Sequence, residues 1–91
     1  MITQDYYLIV FDSTHAAMSA EAFFKNMNVH VKLIPLPSII SVGCGFAIKV
    51  LPKGLAAVEA CLRQSPFEWS GLYKLVKVGA ETHVEYWEVF Q

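Results

Sequence analysis

Apolar residues recur along the chain at spacings that predict alternating strands and helices. The segment YYLIVF at 6–11 is apolar on both alternating faces, which is typical of a central strand. The segment HAAMSAEAFFKNMN at 15–28 has apolar residues at helical spacing, and it follows DST at 12–14, a run of good N-cap residues. A strand and then a helix are therefore predicted, with Asn28 suited to the left-handed residue that ends the helix.

The same patterns predict four more strands and one more helix. Prolines mark two boundaries, because Pro35 and Pro37 lack the backbone donor that a strand needs and Pro66 restricts the residue before it. A GAET turn at 79–82 joins the last two strands as a hairpin. In chain order we expect a second strand at 29–34, a third at 46–50, a second helix from Lys53 to about Ser65, a fourth strand at 72–78 and a fifth at 83–90.

This order of elements predicts a ferredoxin-like βαββαβ sandwich of the α+β class, plus an extra C-terminal strand. Right-handed crossovers and a split pairing place two helices on one face of an antiparallel sheet. A chain of 91 residues is one small domain, so residues 1–91 are expected to form a single unit. The opposite sheet face should be open, and we expect that face or the fifth strand to form a contact in a homo-oligomer.

Composition and charge narrow the classes of partner. The chain is 55% hydrophobic and 16% charged, whereas soluble domains are roughly one quarter charged, which favours self-association. A net charge of −1 argues against nucleic acid and anionic membranes as partners. No apolar stretch approaches the roughly 20 residues that cross a bilayer, and the N-terminus has no signal-like segment, so a cytoplasmic location is expected.

The sequence SVGCG at 41–45 holds the main candidate for chemistry, Cys44. In the predicted topology this loop lies at the same end of the sheet as residues 12–15, near the N-terminus of the first helix. The thiolate is the reactive form of cysteine, and a helix N-terminus or a protonated His15 nearby would favour it. Cys44 is therefore a candidate reactive thiol, with His15 as the neighbour that activates it.

Hydroxyls and glycines around Cys44 are candidate binding groups. The hydroxyls offer donors, and the glycines let backbone N–H groups or an incoming partner approach closely. No metal site and no cofactor are expected, because the histidines share no metal-ligand spacing with the cysteines. The candidate binding residues are Ser13, Thr14, Ser41, Gly43 and Gly45.

A structural interpretation of the cysteines competes with the chemical one. A cysteine at a strand entrance is often a small buried hydrophobe, and glycines often mark only a turn. Spacing alone leaves both interpretations of Cys44 open. Cys61 lies on the flank of the apolar stripe of the second helix, where packing is the favoured role.

Two stretches carry a family resemblance: YYLIVFDSTHAAMSAE, and VKLIPLPSIISVGCGFAIKV. They resemble the small bacterial domains of the selenium/sulfur carrier protein-like family, and the similarity covers about residues 5–73. Its most specific part is Ile34, Pro35, Pro37, Ile40, Ser41, Cys44 and Gly45. Family members usually have a basic residue where this chain has Ser38, and the hairpin at 72–90 extends beyond the usual family end.

The resemblance implies a function for Cys44. It implies a sulfur or selenium carrier, not an enzyme, in which Cys44 holds a persulfide or selenium adduct and relays it by thiol exchange. The implied partner is a sulfur or selenium donor such as a cysteine desulfurase. The alternative is a non-catalytic regulatory module that oligomerises and binds a small anion or a protein, with Cys44 merely packed.

Overall fold

A five-stranded antiparallel sheet and two α-helices form the part of the chain that the structure describes. This computed structural model describes residues 3–40, 43–64 and 69–87. The α+β class, the five strands and the two helices predicted from the sequence are confirmed. The elements are β1 (Thr3–Val10), α1 (Thr14–Asn26), β2 (Val31–Pro35), β3 (Phe46–Val50), α2 (Leu55–Gln64), β4 (Gly71–Val78) and β5 (Glu81–Tyr86), with a 3-10 turn at Pro52–Gly54.

The strands are ordered β2-β3-β1-β4-β5 across the sheet. The first and third strands pair, as a split pairing requires, with Ile9 opposite Ile48. Gly79, at a φ of +61°, lies in the tight turn that folds β5 back along β4. Because β5 adds an edge beyond β4, the order differs from that of a simple ferredoxin-like sandwich.

The starts of β1 and β2 differ from the sequence expectation for physical reasons. β1 begins at Thr3, since its backbone pairing with β4 continues to Thr3 opposite Val78. β2 begins at Val31, because the Val29 N–H donates to the Phe24 carbonyl (2.9 Å) at the end of α1. The predicted end of the fifth strand at 88–90 and the predicted helix exit at Ser65 lie outside the described residues.

The residues at both ends of α1 have the capping roles that the sequence predicts. The Ser13 Oγ accepts a hydrogen bond from the Ala16 N–H (3.0 Å), which satisfies one of the donors that a helix start leaves free. Asn28 has a φ of +60°, the left-handed conformation expected of the residue that turns the chain out of the helix.

The main core lies between the sheet and the two helices. The Trp87 ring packs on Tyr7, with ring centroids 4.9 Å apart, and its Nε1–H donates to Glu59 Oε2 (2.9 Å). This contact links the end of β5 to α2. The buried side chains of this core are Ile9, Phe11, Ala17, Ala20, Phe24, Ile48, Val50, Val58, Leu62, Leu72 and Trp87.

The opposite sheet face, expected to be open, is covered in part by the chain itself. Leu8, Val10, Ala47 and Leu75 form a second buried cluster there. Ile40, from the loop between β2 and β3, closes this cluster and is only 7% exposed. The loop therefore supplies a cover that the alternation of the strands did not predict, and an oligomer contact at this face stays a prediction.

Neither of the described helices combines the length and the apolar character that crossing a bilayer would require.

We expect Ile40→Ala to lower the free energy of unfolding by about 2–4 kcal/mol, because it removes buried apolar volume and leaves a cavity. Ile39→Ala is the matched control, since Ile39 is 54% exposed and its truncation should cost less than about 0.5 kcal/mol. Urea unfolding of both variants measures the difference. Equal losses would show that the loop does not cover the second cluster.

Candidate functional site

Cys44 lies in the loop that leads into β3, and its backbone is tied to the end of β1. Its N–H donates to the Phe11 carbonyl (2.9 Å). Phe11 follows β1 directly and stands two residues before Ser13, the N-cap of α1. The structure therefore brings the cysteine loop to the end of the sheet where α1 begins.

Gly43 is required by a close approach between this loop and β1. Its φ is +84°, a left-handed conformation that favours glycine. A Cβ at this position would overlap Val10 Cγ1 and lie 2.7 Å from the Phe11 oxygen. The absence of a side chain thus lets the backbone before Cys44 pack directly on β1.

Gly45 also has a left-handed conformation, with a φ of +90°, but its surroundings are different. No described atom lies within 4 Å of the position that its Cβ would take. Its carbonyl accepts a hydrogen bond from the Leu36 N–H (2.8 Å), which continues the pairing of β2 and β3 into the loop. The backbone before Cys44 is therefore packed on β1, whereas the space beside Gly45, the residue after it, holds no described atom.

The thiol itself is half-buried and weakly held. The Cys44 Sγ donates to the carbonyl of Phe46 at 3.8 Å, a long contact even for sulfur. Phe46 is 37% exposed and presents apolar surface two residues from the thiol. Nothing else among the described residues forms a hydrogen bond or ion pair with the sulfur.

The residues predicted to lie near Cys44 differ in their exposure and in their hydrogen bonds. Ser13 uses its Oγ to cap α1, so its described role is structural. Thr14 and His15 are exposed in the first turn of α1, and no described hydrogen bond or ion pair reaches their side chains. Ser41 lies outside the described residues. Activation of Cys44 by His15 and the binding roles of the hydroxyls stay predictions.

A scan against known protein families matches residues 6–74 to the family described as "Putative Se/S carrier protein-like". The chain belongs to this family. The matched segment runs from β1 into β4, so it contains Cys44 and both helices, and β5 lies outside it. Searches of curated proteins and of solved structures found no match.

Asp12 and Ser70 form a contact at the same end of this carrier-like domain that sequence reasoning missed. The Ser70 Oγ donates to Asp12 Oδ1, and the Ser70 N–H donates to the Val10 carbonyl (2.6 Å). The pair fastens the entry of β4 to the exit of β1. No sequence pattern could reveal it, because it depends on the pairing of β1 with β4.

Cys61, the second cysteine of the Se/S carrier-like domain, is part of the packing of α2. Cys61 packs against the core between the helices and the sheet, in the role that its position in α2 predicted. Within residues 3–40, 43–64 and 69–87, no three side chains of the metal-ligating types lie together.

We expect Gly43→Ala to be more destabilising than Gly45→Ala. Both substitutions force alanine into a left-handed backbone, which costs roughly 1–3 kcal/mol, but only alanine at 43 also overlaps β1. Gly45→Ala is therefore the matched control for backbone strain alone. Chemical denaturation measures both, and an equal loss of stability would contradict the close approach of Gly43 to Val10.

Proposed function

We propose that this protein carries sulfane sulfur or selenium on Cys44 and passes it to an acceptor by thiol exchange. The observation that carries the proposal is the match to the Se/S carrier-like family over a segment that contains Cys44. The half-buried thiol and the open space beside Gly45 are consistent with it. The role is that of a stoichiometric carrier, because the cargo leaves on the acceptor and the thiol is regenerated.

The loading step is an exchange between two sulfur centres. The Cys44 thiolate attacks the terminal sulfur of a persulfide on a donor such as a cysteine desulfurase. The bond between the donor's two sulfurs breaks, the donor cysteine leaves as a thiolate, and a new sulfur–sulfur bond forms on Cys44. One sulfane sulfur moves and no external oxidant or reductant is consumed. Selenium loads in the same way through a sulfur–selenium bond.

The exchange requires a fixed thiol and room for the donor, and the residues before and after Cys44 meet these two requirements separately. The Gly43 contact and the hydrogen bond to Phe11 fix the backbone that holds the thiol. Gly45 leaves room for the donor's sulfur pair to approach Cys44.

Incubation with a cysteine desulfurase and cysteine, followed by intact mass spectrometry, tests the assignment. We expect an increase in mass by one sulfur atom that a reductant reverses. Cys44→Ser should abolish this adduct, whereas Cys61→Ala, the matched control, should retain it because Cys61 packs against the core. An adduct that persists in Cys44→Ser, or that the wild-type protein fails to form, would refute the proposal.

Gly45→Asn tests the approach path separately from the reactivity of the thiol. Asparagine tolerates a left-handed backbone, as Asn28 does in this chain, so the fold should be retained. We expect the added side chain to slow sulfur transfer from the desulfurase severalfold and to leave alkylation by the small reagent iodoacetamide nearly unchanged. An unchanged transfer rate would contradict an approach past Gly45. A Cys44 that iodoacetamide cannot alkylate would instead favour a packed, structural cysteine.

A further inference from the structure

Two lysines face each other across β2 and β3 on the sheet face opposite the helices. Lys32 is the cross-strand partner of Lys49, and Lys49 is in turn opposite Leu8, which belongs to the second buried cluster. Residues paired in this way point to the same face of a sheet, with Cβ atoms about 5 Å apart. Two like charges at that separation destabilise the sheet unless an opposite charge neutralises them.

The described residues offer these lysines no carboxylate. The next cross-strand pair of β2 and β3 on the same face, Ile34 opposite Ala47, is apolar. Two ion pairs of the described residues join other partners, Lys25 to Glu21 and His83 to Glu81. Protection of an edge strand against aggregation would account for a lysine on β2, but Lys49 lies on β3, an interior strand.

Lys49 is held in a defined position by an aromatic ring. Its Nζ lies over the Tyr6 ring, 4.6 Å from the centroid, in a cation–π contact. Lys49 is half-buried and Lys32 is exposed. The ammonium group of Lys49 is thus positioned beside an apolar surface without being neutralised, which leaves it available to an anion.

The lysine pair lines a cavity of about 340 Å³, within the range of roughly 300–1,000 Å³ that is typical of small-molecule sites. A second cavity of about 390 Å³ shares two lining residues with it and adds Lys25 and Asn28. Every charged residue that lines either cavity is a lysine. We call the first cavity the lysine groove; it is lined by His30, Val31, Lys32, Lys49 and Leu51.

The Glu21 carboxylate, which contacts β2, is already engaged by other groups. One of its oxygens, Oε2, accepts a hydrogen bond from the Leu33 N–H (3.2 Å) and forms the ion pair with Lys25 (3.3 Å). It therefore neutralises Lys25 in the adjoining cavity and leaves the pair in the lysine groove without a counter-charge.

We propose that the lysine groove binds a small phosphate-bearing anion, with Lys32 and Lys49 contacting the phosphate oxygens. The anion must carry about two negative charges to neutralise the pair, and lysine is a common phosphate ligand. The groove is separate from the thiol, because Lys49 lies three residues along β3 from Phe46, a rise of about 10 Å. The proposal does not depend on sulfur transfer at Cys44.

Isothermal titration calorimetry with pyrophosphate and with adenosine monophosphate tests the site and separates free phosphate from a phosphate ester. We expect saturable binding of one anion per chain. Lys32→Gln and Lys49→Gln should each weaken it about tenfold or more, since each removes a charge-assisted contact. Lys77→Gln is the matched control, because Lys77 is an exposed lysine of β4 on the same face that lines neither cavity, and its affinity should stay within about twofold of wild type.

Measurements of the unfolding temperature distinguish a variant that has lost the anion site from one that has lost the fold. In buffer without polyvalent anions, Lys32→Gln should unfold at the same temperature as wild type or higher, because it removes the repulsion with Lys49. Pyrophosphate should raise the unfolding temperature of wild type and not that of Lys32→Gln. Cys44→Ser should bind pyrophosphate as wild type does.

Three outcomes would overturn the proposal. The first is the absence of saturable binding of either small anion. The second is an equal loss of affinity in Lys77→Gln, which would indicate diffuse attraction and not a site. The third is binding of a ten-nucleotide single-stranded RNA by a protein that binds neither pyrophosphate nor adenosine monophosphate, which would assign the face to a nucleic acid.

Discussion

The hydrogen bond from the Cys44 N–H to the Phe11 carbonyl joins the cysteine loop to the residue that leads from β1 towards α1. Pairing of β1 with β3 brings the two segments together, but the bond forms only because Gly43 has no side chain to hold them apart. A glycine costs conformational entropy on folding, and here that cost is offset by a backbone contact no other residue permits. The position of the thiol follows from this contact.

The same loop also serves the hydrophobic core. Ile40 and Leu36 pack on the sheet face opposite the helices, while Cys44 is bonded to the end of β1. The described parts of the segment are thus fixed at several points, so the sulfur exchange that we propose need not order a free loop first. Because loops are usually the least stable parts of a fold, this attachment couples the geometry of the site to the stability of the sheet.

Local patterns predicted local structure well, and contacts between distant segments less well. The alternation in FAIKV placed β3 at the residues observed, and the Ser13 cap and the left-handed Asn28 follow from side-chain chemistry within a few residues. The role of Ile40 could not be predicted in this way, because a loop has no periodicity to show which side chain is buried. The predicted topology correctly indicated at which end of the sheet Cys44 lies. It could not distinguish the packed Gly43 from the open Gly45, because that difference depends on the β1 atoms beside Gly43.

The arrangement of charges also depends on contacts between distant segments, which local sequence patterns do not predict. A net charge of −1 argues against a long polyanion, whose binding depends on several neutralised phosphates. A single phosphate group needs only two well-placed cations, and the register of β2 on β3 places Lys32 opposite Lys49. On β5, Glu81 and Glu85 alternate to the helix-bearing face and so cannot compensate that pair. The net charge of the chain therefore bears on the binding of long polyanions. Strand register determines whether two lysines lie close enough together to bind a single phosphate group.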